Sequence, residues 1–416
     1  MTKAVNLLIN KKLESKPEKK NLFNKLSIIK LIAELGSVSV NDIVKNLYLS
    51  LPTVNSLIAE LLEDDFIRQF DKGESIGGRK PNLYKLRDGL FQVLSIELQR
   101  FSITMSIMDN NQHVIAETIE LENELSRNAE NLVTITQIID QYLIDKSVDI
   151  ENLTGLIIGM PGLINAEEGT NETFLHDENQ SISDYFELKY KKPVFILNDV
   201  KGAAYAELKF GLAKNTKNSL IILMDWGIGL GIVSNGEVYL GRDGYSGEVG
   251  HMPFIDNGEL CYCGKRGCLE TVASGIALVN NAKQEIQKGE LTKLNELLAE
   301  DLQHLTPTHI IEAANKGDQF AINQISKLGT NLGKAFASLI QLLNPELIVL
   351  GGKIAKANEL ITIPIQQAIN SYTMAILKEH CEIKVSSLNL DSNTVGLTNY
   401  FITKYLSVEL LRKSKV

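Results

Sequence analysis

Gly247-Glu248-Val249-Gly250-His251, followed by Cys261-Tyr262-Cys263-Gly264-Lys265-Arg266-Gly267-Cys268-Leu269-Glu270, is the stretch on which the fold of this chain turns. One imidazole and three thiols close together form a complete tetrahedral donor set. Zinc accepts such a set without leaving a position for water, so a metal held by His251, Cys261, Cys263 and Cys268 is structural. Lys265 and Arg266 sit inside the ligand loop, residues 251–268, where they can offset thiolate charge, and Gly264 and Gly267 permit its tight turns. Clustering of three of the four cysteines favours metal over disulfide in a reducing compartment, with a metal-free thiol cluster as the alternative. The remaining Cys381 reads as a small apolar residue.

Outward from this loop, residues 91–416 alternate between strands and helices. Phe91–Glu97, Ile103–Asp109 and Val114–Leu121 are strand-like, Ala129–Ile144 is helical, and Gly155–Gly159 and Val194–Leu197 are short buried strands. A second series runs through Leu220–Met224, Gly231–Ser234 and Val238–Leu240 to a helix near Leu328–Leu343 and a strand Leu347–Leu350 before Gly351-Gly352. Two similar α/β halves with a cleft between them are the expected architecture.

Ahead of this body the pattern is different. Residues 1–20 are polar and Lys-rich and read as an arm or a frayed helix. Within residues 21–90, Leu22, Leu26, Ile29, Ile32 and Leu35 mark one face of a helix ending at Gly36. Ser39 with Asp42 resembles a capping box for a second helix carrying Ile43, Val44 and Leu47. Ser50 can cap a third helix, with Pro52 early in it and Val54, Leu57, Leu61 and Leu62 facing inward. Three short helices with a tight turn before the third describe a helix-turn-helix. Its third helix presents Thr53, Asn55, Ser56 and Ala59 outward, and with Ser50 these are the candidate DNA contacts of a major-groove reader. Strands at Phe66–Arg68 and Leu83–Leu86 flank a Gly77-Gly78-Arg79-Lys80-Pro81 loop, the expected wing, in which Arg79 and Lys80 offer charge to phosphates or a narrow minor groove. A three-helix bundle with a flexible tether is the alternative.

Composition agrees with this division. At 416 residues the chain has room for two to three domains of about 150 residues. With 44% hydrophobic and 22% charged residues it can bury real cores, which excludes whole-chain disorder. Residues 1–90 hold 15 Lys and Arg against 11 Asp and Glu, whereas the remainder holds 27 against 40, so a basic head precedes an acidic body. Asp225 interrupts the longest apolar candidate, Leu220–Val233, so no membrane span is expected, and no export signal is read at the N-terminus. A cytoplasmic location is the expectation.

The motif quoted at the outset, with Asn198-Asp199, the Pro161-Gly162 turn and Gly227-Ile228-Gly229-Leu230-Gly231 in order, resembles the signature of the ROK family, which unites sugar-responsive repressors with sugar kinases. With a winged helix in front, the chain is similar to the repressor branch, of the N-acetylglucosamine and xylose type. The resemblance implies a two-lobed, actin-like and sugar-kinase-like (ribonuclease H-like) body with ligand in the interlobe cleft. Carried over residue by residue, it implies sugar contacts at Asn198, Asp199, Glu248, His251 and Glu270, with one ring nitrogen of His251 on zinc and the other donating to the sugar. Asp199 as a helix cap and Glu248 or Glu270 as surface acids are the plain alternatives.

Family kinases also imply two phosphate-binding turns, normally Asp-x-Gly after the first strand and Gly-Thr-Gly in the second half. Here Glu97 and Gln99 stand at the first, and Asp225-Trp226-Gly227 at the second. A longer carboxylate, a side chain in place of a glycine, an indole and an added negative charge all disfavour a triphosphate. The expectation is therefore a non-enzymatic, sugar- or sugar-phosphate-responsive repressor that binds double-stranded operator DNA as a homodimer or dimer of dimers. A sugar kinase with an added DNA-binding head is the rival.

Overall fold

The computed structural model describes residues 15–72, 81–297, 302–388 and 392–414. Its internal contacts divide the chain into two units, Met1–Gly202 with Asp391–Val416, and Ala203–Leu390.

The first unit begins with helix α1 (Lys16–Leu35), five residues earlier than the apolar spacing suggests. Ser15 and Glu18 form a reciprocal capping box, which starts the helix inside the Lys-rich run. Leu22, Leu26, Ile29 and Ile32 are buried as expected, but so are Ile28 and Leu31, while Leu35 is 56% exposed. The helix is covered on more than one side, because the C-terminal helix Ser392–Ser414 packs against it as well. Strand β1 (Val38–Ser39) leads into α2 (Val40–Leu47), capped by the expected Ser39–Asp42 box, and Tyr48 turns the chain at φ 54° into α3 (Leu51–Glu63). In α3 Val54, Leu57 and Leu61 face inward, with Ile58 in place of the expected Leu62, which is 39% exposed. Lys25, buried in α1, pairs with Glu60 and Asp64 at 3.1 and 2.9 Å and so ties α1 to α3. Strands β2 (Ile67–Lys72) and β3 (Asn82–Leu86) complete a three-stranded sheet in the order β1-β3-β2. Three helices and this sheet make a winged helix; Gly77, Gly78, Arg79 and Lys80 of the expected wing loop lie outside the described residues.

The segment after β3 is pinned by the turn between β5 (Ser102–Asp109) and β6 (Val114–Glu122). Asn110 donates to the Arg87 carbonyl and accepts from the Phe91 amide, at 2.9 and 3.0 Å, and Asn111 donates to the Leu86 carbonyl at 3.0 Å. The buried Asp109 carboxylate accepts from the amides of Gly89, Asn111 and His113.

Beyond this junction β4 (Gln92–Leu98) runs antiparallel to β5 and β5 to β6, while β7 (Gly155–Met160) and β10 (Val194–Asn198) add on the other side of β4, both parallel to it. A small hairpin, β8 (Ile164–Asn165) with β9 (Thr170–Asn171), lies between them in sequence. Helices α4 (Asn131–Asp145) and α5 (Ile182–Tyr190) supply Ile135, Ile139, Tyr142 and Phe186 to the core on one face. The C-terminal helix packs on β4 and β7. Helix α6 (Asp199–Phe210) follows β10 and contains the division between units.

The second unit repeats the plan. Strand β11 (Ser219–Met224) is antiparallel to β12 (Ile228–Ser234), which is followed by the two-residue β13 (Glu237–Val238), shorter than the expected Val238–Leu240. On the far side β14 (Leu347–Gly351) and β15 (Glu382–Val385) pair parallel to β11 and to each other. Taken from its first strand, each sheet has the same order, a three-stranded meander on one side and two parallel strands on the other. Helices α7 (Glu270–Ala273), α8 (Gly275–Gln287), α9 (Pro307–Asn315), α10 (Gln319–Leu343) and α11 (Glu359–Tyr372) bury its core, centred on Leu278, Ile310, Leu332, Phe336 and Ile361. Asp318 caps α10, which starts at Gln319, nine residues before the expected Leu328.

Candidate functional site

In both sheets the parallel strands end at one edge, the place where open α/β sheets hold ligands. In the first unit that edge carries Leu98, Met160 and Asn198, with Asn198 paired to Met160 and Glu97 to Gly159 across the ladder. Asn198 is 6% exposed; its Nδ2 donates to the Gly162 carbonyl at 3.1 Å, and its Oδ1 is buried without a hydrogen-bond partner. A buried acceptor left over in this way fits a donor that arrives with a ligand, such as a sugar hydroxyl. Asp199 starts α6 and its Oδ1 accepts from the Val200 amide at 2.8 Å, so it acts as a local cap whatever else it binds. Asn171 braces the neighbouring turn, donating to the Pro161 carbonyl at 2.9 Å and accepting from the Thr173 and Phe174 amides.

In the second unit the turn carrying Glu248 and His251 lies on β12. Gly247 adopts φ 82° directly under the Leu230 carbonyl, and a Cβ at Gly250 would stand 2.8 Å from the Ile228 carbonyl oxygen, so only glycine admits this approach at either place. Glu270, 7% exposed, faces the same backbone: its Oε2 accepts from the Ile228 amide at 3.2 Å and would lie 3.1 Å from a Cβ on Gly250. Glu248, His251 and Glu270 are thus organised by one turn and one strand; Glu248 and His251 are half-buried.

The four metal-ligand candidates come together, their donor atoms all within 4.8 Å of one another. His251 Nδ1 is 3.6 Å from Cys261 Sγ, and Cys263 Sγ is 3.6 Å from Cys268 Sγ. Four ligands at zinc–sulfur distances of about 2.3 Å stand roughly 3.8 Å apart at tetrahedral corners, so the cage fits such an ion. The other ring nitrogen, Nε2, expected to point at a sugar, is 3.1 Å from the Tyr262 hydroxyl, because Tyr262 packs edge-on against the imidazole. Burial, then the Lys265 charge, hold His251 below the usual imidazole value, which keeps it neutral as a ligand must be. Burial pushes the Cys261 thiol up to about 12 and raises Cys268. Although burial works the other way, the Lys265 amide and hydrogen bonds from the two neighbouring thiols hold Cys263 below its ordinary value. A metal ion would draw the proton from each thiol that binds it.

At the edge of the second sheet, Asp225 Oδ1 accepts from the Lys353 amide at 2.7 Å, and Trp226 packs on the hydrophobic core while its carbonyl accepts from Ile276. In the head, Ser50 Oγ caps Thr53, and Thr53, Asn55, Ser56 and Ala59 form an exposed small and polar face on α3. Tyr48, 93% exposed in the turn before it, joins that surface and was not singled out from the sequence. Arg79 and Lys80 lie outside the described residues.

A winged helix joined to a duplicated sheet with a Cys3His cage defines the class, and the chain belongs to the ROK family, whose model matches residues 93–404. The DNA-binding transcriptional dual regulator NagC of Escherichia coli K12 is 29% identical over 371 residues, 88% of this chain and 89% of that protein. A crystal structure described as a ROK family transcriptional regulator, a homologue of the E. coli Mlc protein, superposes with TM-score 0.76 at 28% identity, over 95% of this chain and 99% of that one. A ROK family glucokinase from Streptomyces griseus, solved with glucose and AMPPNP, superposes with TM-score 0.64 at 25% identity, over 74% of this chain and 98% of its own. The body therefore has the actin-like fold shared by ROK regulators and sugar kinases. Among the described residues no helix is long and apolar enough to cross a membrane.

Proposed function

We propose that the protein is a cytoplasmic, sugar-responsive transcriptional repressor that binds operator DNA as a homodimer and releases it when a sugar or sugar phosphate occupies the body. The observation that carries this reading is the exposed polar face of α3 in a chain that superposes on a ROK family regulator over 95% of its residues. Thr53, Asn55 and Ser56, with Ser50 and Tyr48 at the helix start, read base edges, and Arg79 and Lys80 contact backbone phosphates. Asn198, Asp199, Glu248, Glu270 and His251 hold the sugar; the unpartnered Asn198 Oδ1 takes one of its hydroxyls. His251, Cys261, Cys263 and Cys268 hold zinc, which fixes the turn carrying Glu248 and His251 rather than taking part in a reaction. With Nδ1 facing the cage, Nε2 is the protonated nitrogen, and the Tyr262 oxygen is its acceptor until a sugar hydroxyl replaces it.

A kinase reading finds less support at the strand ends. The Lys353 amide, a donor that a phosphate could use, is taken by the Asp225 carboxylate, and the Glu97 carboxylate already accepts from Gln99 at 3.1 Å. Incubation with ATP and a sugar panel separates the two, since turnover above about 1 s⁻¹, the low end for kinases, overturns the regulator. DNA recognition is tested by binding-site selection followed by two variants. Asn55→Ala is expected to lose about 1–3 kcal/mol on the selected site and little on random duplex. Reversing charge at Arg79 and Lys80 should weaken both and flatten the salt dependence. Equal behaviour of the two variants on both duplexes refutes the assignment.

A further inference from the structure

The C-terminal helix is seated on the first sheet by contacts that leave it little freedom. Gly159 of β7 lies so close under Leu397 that a Cβ there would stand 2.6 Å from its Cδ1; Gly155 lies in the same way under Phe401, and Gly202 of α6 would meet Leu397 at 3.1 Å. The fit between helix and strand is therefore made by missing side chains, and neither partner can shift without the other. Polar bonds fix the register. Thr398 Oγ1 donates to the Thr394 carbonyl at 2.8 Å, so the buried Ser95 hydroxyl of β4 must donate to Thr398, at 2.7 Å. In the first turn Asn393 Nδ2 donates to Glu97 Oε1 at 2.6 Å. Glu97 is 3% exposed and bound by Gln99 as well. The two strand-end residues that replace a kinase's phosphate loop thus anchor a helix.

Other sides of the same helix reach the head. It packs against α1. Tyr405 stacks on Phe401 at 5.9 Å and meets the edge of Phe91, at 6.5 Å, the residue where the pinned segment after the wing enters the body. The strand carrying Gly155 and Gly159 continues into the Pro161-Gly162 turn, whose Gly162 carbonyl is held by Asn198.

We propose that the C-terminal helix carries the state of the sugar-binding end of the first sheet to the DNA-binding head, with the Glu97–Asn393 bond as its latch. A ligand that donates to Asn198 Oδ1 re-aims the amide bonded to Gly162 and moves the end of β7. The glycine contacts pass that movement to Leu397 and Phe401, and the helix passes it to α1. This rests on the sugar reading above for what drives the motion, but the path itself can be tested without ligand or DNA.

The test is hydrogen–deuterium exchange on the full chain. Asn393→Ala should speed exchange in the amides of α1 about tenfold, the scale of losing one hydrogen bond to a charged group, while β11 and β14 of the other unit are unchanged. Glu97→Gln keeps an acceptor oxygen for Asn393 but not its charge, and should speed α1 exchange less than Asn393→Ala does. Faster exchange confined to β4 and β7, with α1 unmoved, overturns the proposal, as does general loosening that includes β11 and β14. Should Asn393→Ala fail to fold, Thr398→Val, which lacks only the hydroxyl facing Ser95, is judged by the same criterion. Glucose, N-acetylglucosamine and their 6-phosphates are then added to the parent protein. A sugar that raises the melting temperature without altering α1 exchange leaves the regulator standing and overturns the transmission path. If none of them binds, the sugar reading is what suffers, and the Asn393→Ala result still decides the path.

Discussion

Cys263 is the place to break the metal cage, because it is exposed whereas Cys261 and Cys268 are buried. Cys263→Ser therefore removes a ligand without opening a cavity, and what it costs is metal binding rather than packing. A ligand that binds only the folded state stabilises it by about 2.7 kcal/mol at a free concentration of 100 times its dissociation constant. For a unit of 150–250 residues each kcal/mol moves the melting temperature by about 2–4 °C, so an ion at that excess is worth about 5–11 °C. Ala203–Leu390 falls in that size range. The assay is calorimetry of parent and variant before and after a strong chelator, with elemental analysis of each sample. About one zinc per chain is expected in the parent and none in Cys263→Ser, and the chelated parent should melt where the variant does. A variant that keeps a full equivalent of metal, or a parent whose melting is unmoved once its metal is gone, refutes the structural role.

Lys25→Ala removes the ammonium that joins α1 to α3 and should cost about 1–2 kcal/mol, since its partners Glu60 and Asp64 are partly solvated; denaturant unfolding followed by a probe in the head measures it. Although burial opposes the charge, hydrogen bonds and the charges of Asp64 and Glu60 raise this lysine above 10.5, so its contribution is complete below that pH and is lost as pH rises through the raised value. The parent should lose stability in that alkaline window and Lys25→Ala should not. Gly250→Ala drives a methyl to 2.8 Å from a backbone oxygen that cannot swing aside; about 1–3 kcal/mol of stability and the thermal shift given by any bound sugar should both decline, and a variant with unchanged sugar binding would remove the Glu248–His251 turn from the site.

What was legible in the sequence was local. The metal cage lies within one loop, and Ser39, Ser50 and the spacing of Val54, Leu57 and Leu61 announce α2 and α3 through caps and one buried stripe. The central strands β4, β5, β7, β11 and β14 read as apolar runs because they are covered on both faces, whereas the half-exposed edge strand β15 gave no such run. The C-terminal helix escaped because Leu397, Tyr400, Phe401, Ile402, Tyr405 and Leu406 run around it, and a helix covered on several sides has no stripe to detect. The same cause blurred α1, which that helix also packs against and where Ile28 and Leu31 are buried beside the expected stripe. The part played by Glu97 was invisible for a different reason, since its partner Asn393 is 296 residues away and only the folded chain brings them together. Asn198 was placed by motif, whereas the spare acceptor on its Oδ1 is a property of packing.

Ser39 sits at once in a strand and at a helix cap: it pairs with Leu83 of β3, while its hydroxyl and amide close the box that starts α2. The base of the wing and the first half of the helix-turn-helix are consequently welded at a single residue. In the proposed docking, operator positions read by the helix and by the wing will then behave as one word of fixed length, so inserting a single base pair between them should be as damaging as deleting either half.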